Sequence, residues 1–188
     1  LASATNVIAE GEVLQLTKVR DASTSEETYM EVIRAKTAML FEASTQCAAL
    51  LVNAPAAQTE ALRQYGHKLG IAFQLIDDLL DYQGDAETLG KNVGDDLAEG
   101  KATLPLIVAM RQGTPEQAQL VRTAIQKGGI ENLDAISQAV RDSGALDYTA
   151  SKARQFADEA IDCLDTLPDS AYKSAMADLA RFAVERSL

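Results

Sequence analysis

The chain has no tryptophan, a single histidine, two cysteines and four prolines in 188 residues. Each shortage removes a class of chemistry. His67 has no Ser, Cys or metal-ligand partner at a suggestive spacing, so it reads as a structural or surface residue and not as a general base. Cys47 and Cys163 share no metal-ligand spacing and sit in apolar helical patterns, as buried free thiols of a reducing compartment do. Positive charge is also short: 17 Lys and Arg face 28 Asp and Glu, for a net charge of −11. That balance argues against binding nucleic acid through a generally basic surface. It does not exclude an anionic substrate, because local lysines and metal ions override a global field. No apolar run approaches the ~18 residues of a transmembrane span, and no signal peptide is visible, so the expectation is a soluble, cytoplasmic protein.

Hydrophobic residues make up 47% of the chain and aromatics only 5%. Abundant Ala, Leu, Glu, Gln and Lys, with scarce Pro and no useful β-alternation, predict an all-α protein. The length suits one domain with a real core. Helices are expected over about 1–19, from about 26 to 51, 57–83, 103–111, 114–128, 130–142, 147–166 and 169–187. Ser23 with Glu26, or Thr24 with Glu27, offers a capping box for the second helix, and Ala54-Pro55 breaks it. Gly66 and Gly70 within the third helix either weaken it or allow close packing. Residues 1–112 hold every unusual polar constellation, whereas 113–188 read as supporting helices of the same domain. The opening stretch Leu1 to Leu16 begins apparently mid-helix with no cap, and reads as a fragment whose N-terminal portion is absent.

Within the third helix, Phe73-Gln-Leu-Ile-Asp-Asp-Leu-Leu-Asp81 sets three carboxylates in a greasy pattern. With Asp77 at zero on a helical wheel, Asp81 falls near ~40°, Gln74 near ~60° and Asp78 near ~100°, opposite Leu75 and Leu79. One helix therefore carries a core face and an oxygen-rich face. Hard cations such as Mg²⁺ take carboxylate oxygens and commonly bridge them to substrate phosphates. Alone, the pattern could equally be a solvated acidic face.

The surroundings tip the balance. A Gly-rich loop with Lys91 and Lys101 follows the aspartates, and lysines beside a metal-binding face are what a diphosphate site requires. Lys36-Thr37 interrupts another apolar helix and offers a point charge and a hydroxyl donor to a phosphate. Glu12 and Gln15, three apart on the first helix, share a face and either bond such groups or meet solvent.

FQLIDDLLDY at 73–82 followed by GKNVGDDLAEGKATLPLI at 90–107 resembles the second aspartate-rich region of the trans-polyprenyl diphosphate synthases, above all their long-chain, octaprenyl-type members. GEVLQL at 11–16 and AKTAMLFEAS at 35–44 also resemble that family, in the expected order. The resemblance implies an all-α isoprenoid synthase-type bundle around a central cavity. It implies Mg²⁺-assisted condensation of an allylic diphosphate with isopentenyl diphosphate, giving a long-chain prenyl diphosphate for quinone biosynthesis, by a homodimer. Carried over by residue, Asp77, Asp78 and Asp81 would bind metal. Lys36, Lys91 and Lys101 would hold the allylic diphosphate and assist its departure, Thr37 and Gln74 would line that site, and Asp95 would support it. Phe73, Leu69, Leu40 and Phe41 are candidates for apolar walls that keep water from an allylic cation.

The family's first aspartate-rich motif and its isopentenyl diphosphate site do not occur in these residues, so the 188 residues alone are expected to be inactive. A terpene cyclase would carry a different second metal motif and lacks the GKxxGDD loop. A non-catalytic regulatory subunit is the alternative, but such subunits tend to lose the aspartates and lysines retained here. A helical interaction module leaves their joint presence unexplained.

Overall fold

The computed structural model describes residues 1–83, 94–128 and 131–185. Among them every regular element is helical, as the composition predicts. The elements in order are α1 (Ala2–Thr17), α2 (Glu26–Ile33), a π-helical turn (Arg34–Ala38), α3 (Met39–Leu51), α4 (Ala56–Gln83), α5 (Asp95–Ala98), α6 (Leu104–Gln112), α7 (Pro115–Lys127), α8 (Leu133–Asp142), α9 (Ala145–Cys163), a 3₁₀ turn (Leu164–Thr166) and α10 (Ala171–Glu185).

α4 is the organising element, packing most extensively against α9 and α3. Its buried face runs through Tyr65, Leu69, Ala72, Leu75, Ile76 and Leu79 at helical spacing. α9 answers with a stripe of small residues, Ala150, Ala153, Ala157 and Ala160, which lets the two backbones approach. Leu97, Leu104, Val108, Ile125 and Ile136 extend the core from α5 to α8, all of them fully buried.

Local chemistry sets most of the boundaries. α7 starts on a capping box in which Thr114 and Gln117 exchange side-chain and backbone bonds, and it stops at Gly128 in a positive-φ conformation. α2 departs from the expected cap. Neither Ser23 nor Thr24 serves, because both are taken up by a turn around Asp21. Ser25, in extended backbone, accepts instead from the Thr28 amide. The helix expected to run unbroken to residue 51 is interrupted by the π turn, which contains Lys36 and Thr37. The broken connection before residue 101 holds a short helix, α5.

Two glycines clamp the π turn. A Cβ on Gly11 of α1 would lie 2.7 Å from both Ala35 Cβ and the Lys36 amide nitrogen. A Cβ on Gly70 of α4 would lie 2.6 Å from Ala38 Cα. These are close approaches that only glycine permits, so Gly70 serves packing and does not merely weaken its helix.

Candidate active site

A cavity of about 530 Å³ opens where α1, α2, the π turn, α4 and the α5–α6 segment meet. It gathers Lys36, Thr37, Gln74, Asp77, Asp78, Asp81 and Lys101, seven candidates from three separate stretches of the sequence, together with Asp95. Lys91 lies outside the described residues.

The π turn explains why two consecutive side chains, Lys36 and Thr37, both reach this space, since single π turns re-aim side chains within helices. Close packing at Gly11 brings Gln15 and Glu12 over Lys36. Lys36 Nζ donates to Gln15 Oε1 at 2.5 Å and pairs with Glu12 Oε2 at 3.1 Å. The shared face of Glu12 and Gln15 thus meets an active-site group. On the opposite side, Lys101 Nζ bonds Asp96 Oδ1 at 3.0 Å and Glu99 Oε2 at 2.8 Å. Burial opposes the Lys101 charge, yet Glu99 and Asp96 hold its ammonium above the ordinary lysine range.

The three aspartates of α4 meet different surroundings. Asp77 and Asp81, one helical turn apart, are partly exposed and line the cavity. Asp81 is oriented by α5: its Oδ1 accepts from the Asp95 amide at 3.2 Å and its Oδ2 from the Asp96 amide at 3.4 Å. Burial and the neighbouring Asp96 nevertheless push the Asp81 carboxyl up to about 6. Asp78 borders the same cavity but is buried. It is 2% exposed, and both its oxygens are engaged, Oδ2 by the Tyr29 hydroxyl at 2.5 Å and Oδ1 by Gln74 Nε2 at 2.7 Å. Burial and then Asp96 push it up to about 7. Of the three expected metal ligands, Asp78 is thus the one with a protein donor at each oxygen.

Thr37 lines the cavity with its hydroxyl held in place: it donates to Gln74 Oε1 at 2.9 Å and keeps its lone pairs. The apolar walls differ from those expected. Leu69 is buried in a separate cluster with Tyr65 and Leu164, Leu40 is 56% exposed, and Phe41 and Phe73 form a tilted ring pair at 5.5 Å. None of the four lines the described cavity, which is walled by Val32, Ile33 and Leu80. His67 holds Glu42 Oε2 through Nδ1 at 2.8 Å, beside the Arg63–Glu42 ion pair, in agreement with a structural role.

The donor set suits Mg²⁺. Among the described residues no three or more His, Cys, Asp or Glu converge as a closed metal site. Mg²⁺ needs no such cage: one or two carboxylates, with water and substrate phosphates, satisfy it. Asp77 and Asp81 provide that pair on the cavity wall.

Comparison with known proteins concerns the chain as a whole. The family model described as polyprenyl synthetase matches residues 1–143. The chain is 53% identical over 187 residues to octaprenyl diphosphate synthase of Escherichia coli K12, covering 99% of this chain and 58% of that protein. Its Haemophilus influenzae counterpart is 50% identical, with 57% of its length covered. A polyprenyl synthase from Caulobacter crescentus, crystallised with calcium and isoprenyl diphosphate, superposes with a TM-score of 0.94 at 46% identity, over 100% of this chain and 58% of that one. The chain thus spans less than two thirds of these relatives. No helix among the described residues is long and apolar enough to cross a membrane.

Proposed function

The chain belongs to the polyprenyl synthetase family, and on that premise we propose that the protein it forms is a trans-polyprenyl diphosphate synthase that joins an allylic diphosphate to isopentenyl diphosphate with Mg²⁺. The observation that carries the reading is the single cavity to which α1, the π turn, α4 and the α5–α6 segment bring Lys36, Asp77, Asp81 and Lys101.

Asp77 and Asp81 are the residues that would hold Mg²⁺, with Asp78 behind them. Bound there, the ion would supply positive charge to a diphosphate leaving group. Lys36 and Lys101 neutralise the remaining charge as the allylic carbon–oxygen bond breaks, and Lys91 is assigned the same role from the sequence. To do so, Lys36 must exchange Glu12, and Lys101 must exchange Glu99, for phosphate oxygens. Glu12 and Glu99 are 48% and 64% exposed, and such solvated pairs are worth only about 0–1 kcal/mol each, so the exchange costs little. Val32, Ile33 and Leu80 form the apolar part of the wall, limiting the access of water to an allylic cation. No side-chain nucleophile is required.

Similarity to the octaprenyl diphosphate synthases supports a long-chain, octaprenyl-type product of use in quinone biosynthesis. The exposed Leu40, Leu50 and Leu51 of α3 support a homodimer that covers them. The test of the central reading is Asp77→Ala in the full-length protein. Condensation of radiolabelled isopentenyl diphosphate should fall by about 10²-fold or more while far-UV circular dichroism and melting temperature hold. Undiminished prenyl transfer would sink the assignment.

A further inference from the structure

Tyr29 belongs to none of the motifs around the site, yet it is 5% exposed on α2 and its hydroxyl reaches across to α4. It donates to Asp78 Oδ2 at 2.5 Å, and Asp78 Oδ1 accepts from Gln74 Nε2 at 2.7 Å. Gln74 Oε1 then accepts from the Thr37 hydroxyl at 2.9 Å. Four side chains from three elements form one directed chain that ends on the cavity wall.

An amide can face either way, and here each end is specified. Asp78 offers only acceptors when ionised, so Gln74 must turn Nε2 toward it, which leaves Oε1 for the Thr37 proton. Tyr29 fixes the far end by occupying the second Asp78 oxygen. Without that donor, a buried carboxylate oxygen is unsatisfied, and Asp78 is driven to turn away from its present position. That turn loosens the amide and, through it, the orientation of the Thr37 oxygen on the cavity wall.

We propose that Tyr29 is a positioning residue of the allylic-diphosphate site, acting through Asp78 and Gln74 on Thr37. The proposal rests on the prenyl-transfer reading above and concerns the orientation of residues, not the metal.

Tyr29→Phe in the full-length protein tests it, since the ring that fills the core is kept. The expected result is an unchanged fold, an allylic-substrate kcat/KM about tenfold lower with KM raised, and an unchanged KM for isopentenyl diphosphate. Adding Tyr29→Phe to Gln74→Leu should produce little further loss, because the chain is already cut. Asp78→Asn is the second variant: its amide donates to Gln74, reverses that side chain and removes the acceptor from Thr37. It should reproduce the allylic defect while leaving the half-saturating Mg²⁺ concentration at the parent value. Calorimetric binding of a non-ionisable allylic diphosphate analogue should weaken in both variants, a readout independent of turnover. Unaltered allylic constants in Tyr29→Phe, fully additive losses in the double variant, or a raised Mg²⁺ requirement in Asp78→Asn would each overturn the proposal. If Tyr29→Phe does not fold, Asp78→Asn decides alone. A parent protein without prenyl transfer would defeat the functional reading instead, and the binding arm would still report on the hydrogen-bond chain.

Discussion

At Asp77, Asp78 and Asp81 one side chain is used in three ways within little more than a helical turn. Asp77 faces the cavity, Asp81 caps α5 through two backbone amides, and Asp78 is sealed between Tyr29 and Gln74. Burial and like charge raise Asp78 to about 7, against 3.8 for an unhindered aspartate. A carboxyl whose folded pKa is raised binds its proton more tightly when folded than when unfolded. Its favourable contribution is therefore complete below pH ~4 and is lost as pH rises through about 7. Asparagine does not titrate. In the metal-free full-length protein Asp78→Asn is thus expected to melt higher than the parent at pH 8, with the gap shrinking toward pH 4. Calorimetric scans across that range check this, and a gap that widens on acidification would contradict it. At this scale the sequence was informative wherever a charge interrupted an apolar helix, which is how Lys36, Asp77 and Asp81 came to notice. It was silent on Tyr29, because a tyrosine 49 residues from its partner leaves no periodic trace and looks like any core aromatic. Asp96, which bonds Lys101 and raises the pKa of both Asp78 and Asp81, carries no signal of its own in the sequence, where it is one acid of a Gly-rich stretch.

Among elements, helices marked by strong local chemistry were legible and those shaped by tertiary contact were not. Pro55 and the Thr114 cap fixed the starts of α4 and α7 to within a residue or two of expectation. The π turn carries no comparable signal: it arises where α1 and α4 press on one segment at Gly11 and Gly70. That origin separates two kinds of substitution. In Gly70→Ala the added Cβ meets backbone at 2.6 Å, and backbone cannot rotate away. The expected cost is about 1–3 kcal/mol in urea unfolding, despite the better helix propensity of Ala, together with a raised allylic KM as Lys36 and Thr37 shift. Thr114→Ala removes the cap of α7, remote from the cavity, and should cost about 1 kcal/mol while leaving both substrate KM values unchanged. Equal kinetic effects from the two variants would show that the π turn does not couple packing to the site.

The whole molecule adds a constraint that no single residue reveals. Its net charge is −11, and the described cavity wall repeats the imbalance, with six carboxylates (Asp77, Asp78, Asp81, Asp95, Asp96, Glu99) against three lysines (Lys18, Lys36, Lys101). All three lysines are already paired, Lys18 with Asp21, Lys36 with Glu12, and Lys101 with Asp96 and Glu99. A bare diphosphate approaching this wall meets a field of its own sign, so the lysines cannot capture it unaided. On the proposed function, divalent cations held by Asp77 and Asp81 would reverse that sign, and the diphosphate would supply oxygens that the two aspartates alone do not. On that reading the binding of the two is mutually dependent, and by linkage the factor by which Mg²⁺ tightens diphosphate equals the factor by which diphosphate tightens Mg²⁺. Titration of the full-length protein with inorganic diphosphate is expected to show binding at least about 10²-fold weaker when Mg²⁺ is removed by a chelator, the size of a strong coupling between sites. Asp77→Ala should abolish most of that coupling, whereas Lys101→Ala should weaken diphosphate binding and leave the coupling factor nearly intact. Metal-independent binding of diphosphate at full strength would mean that the lysines dominate the site and that the acidic face of α4 serves some other end.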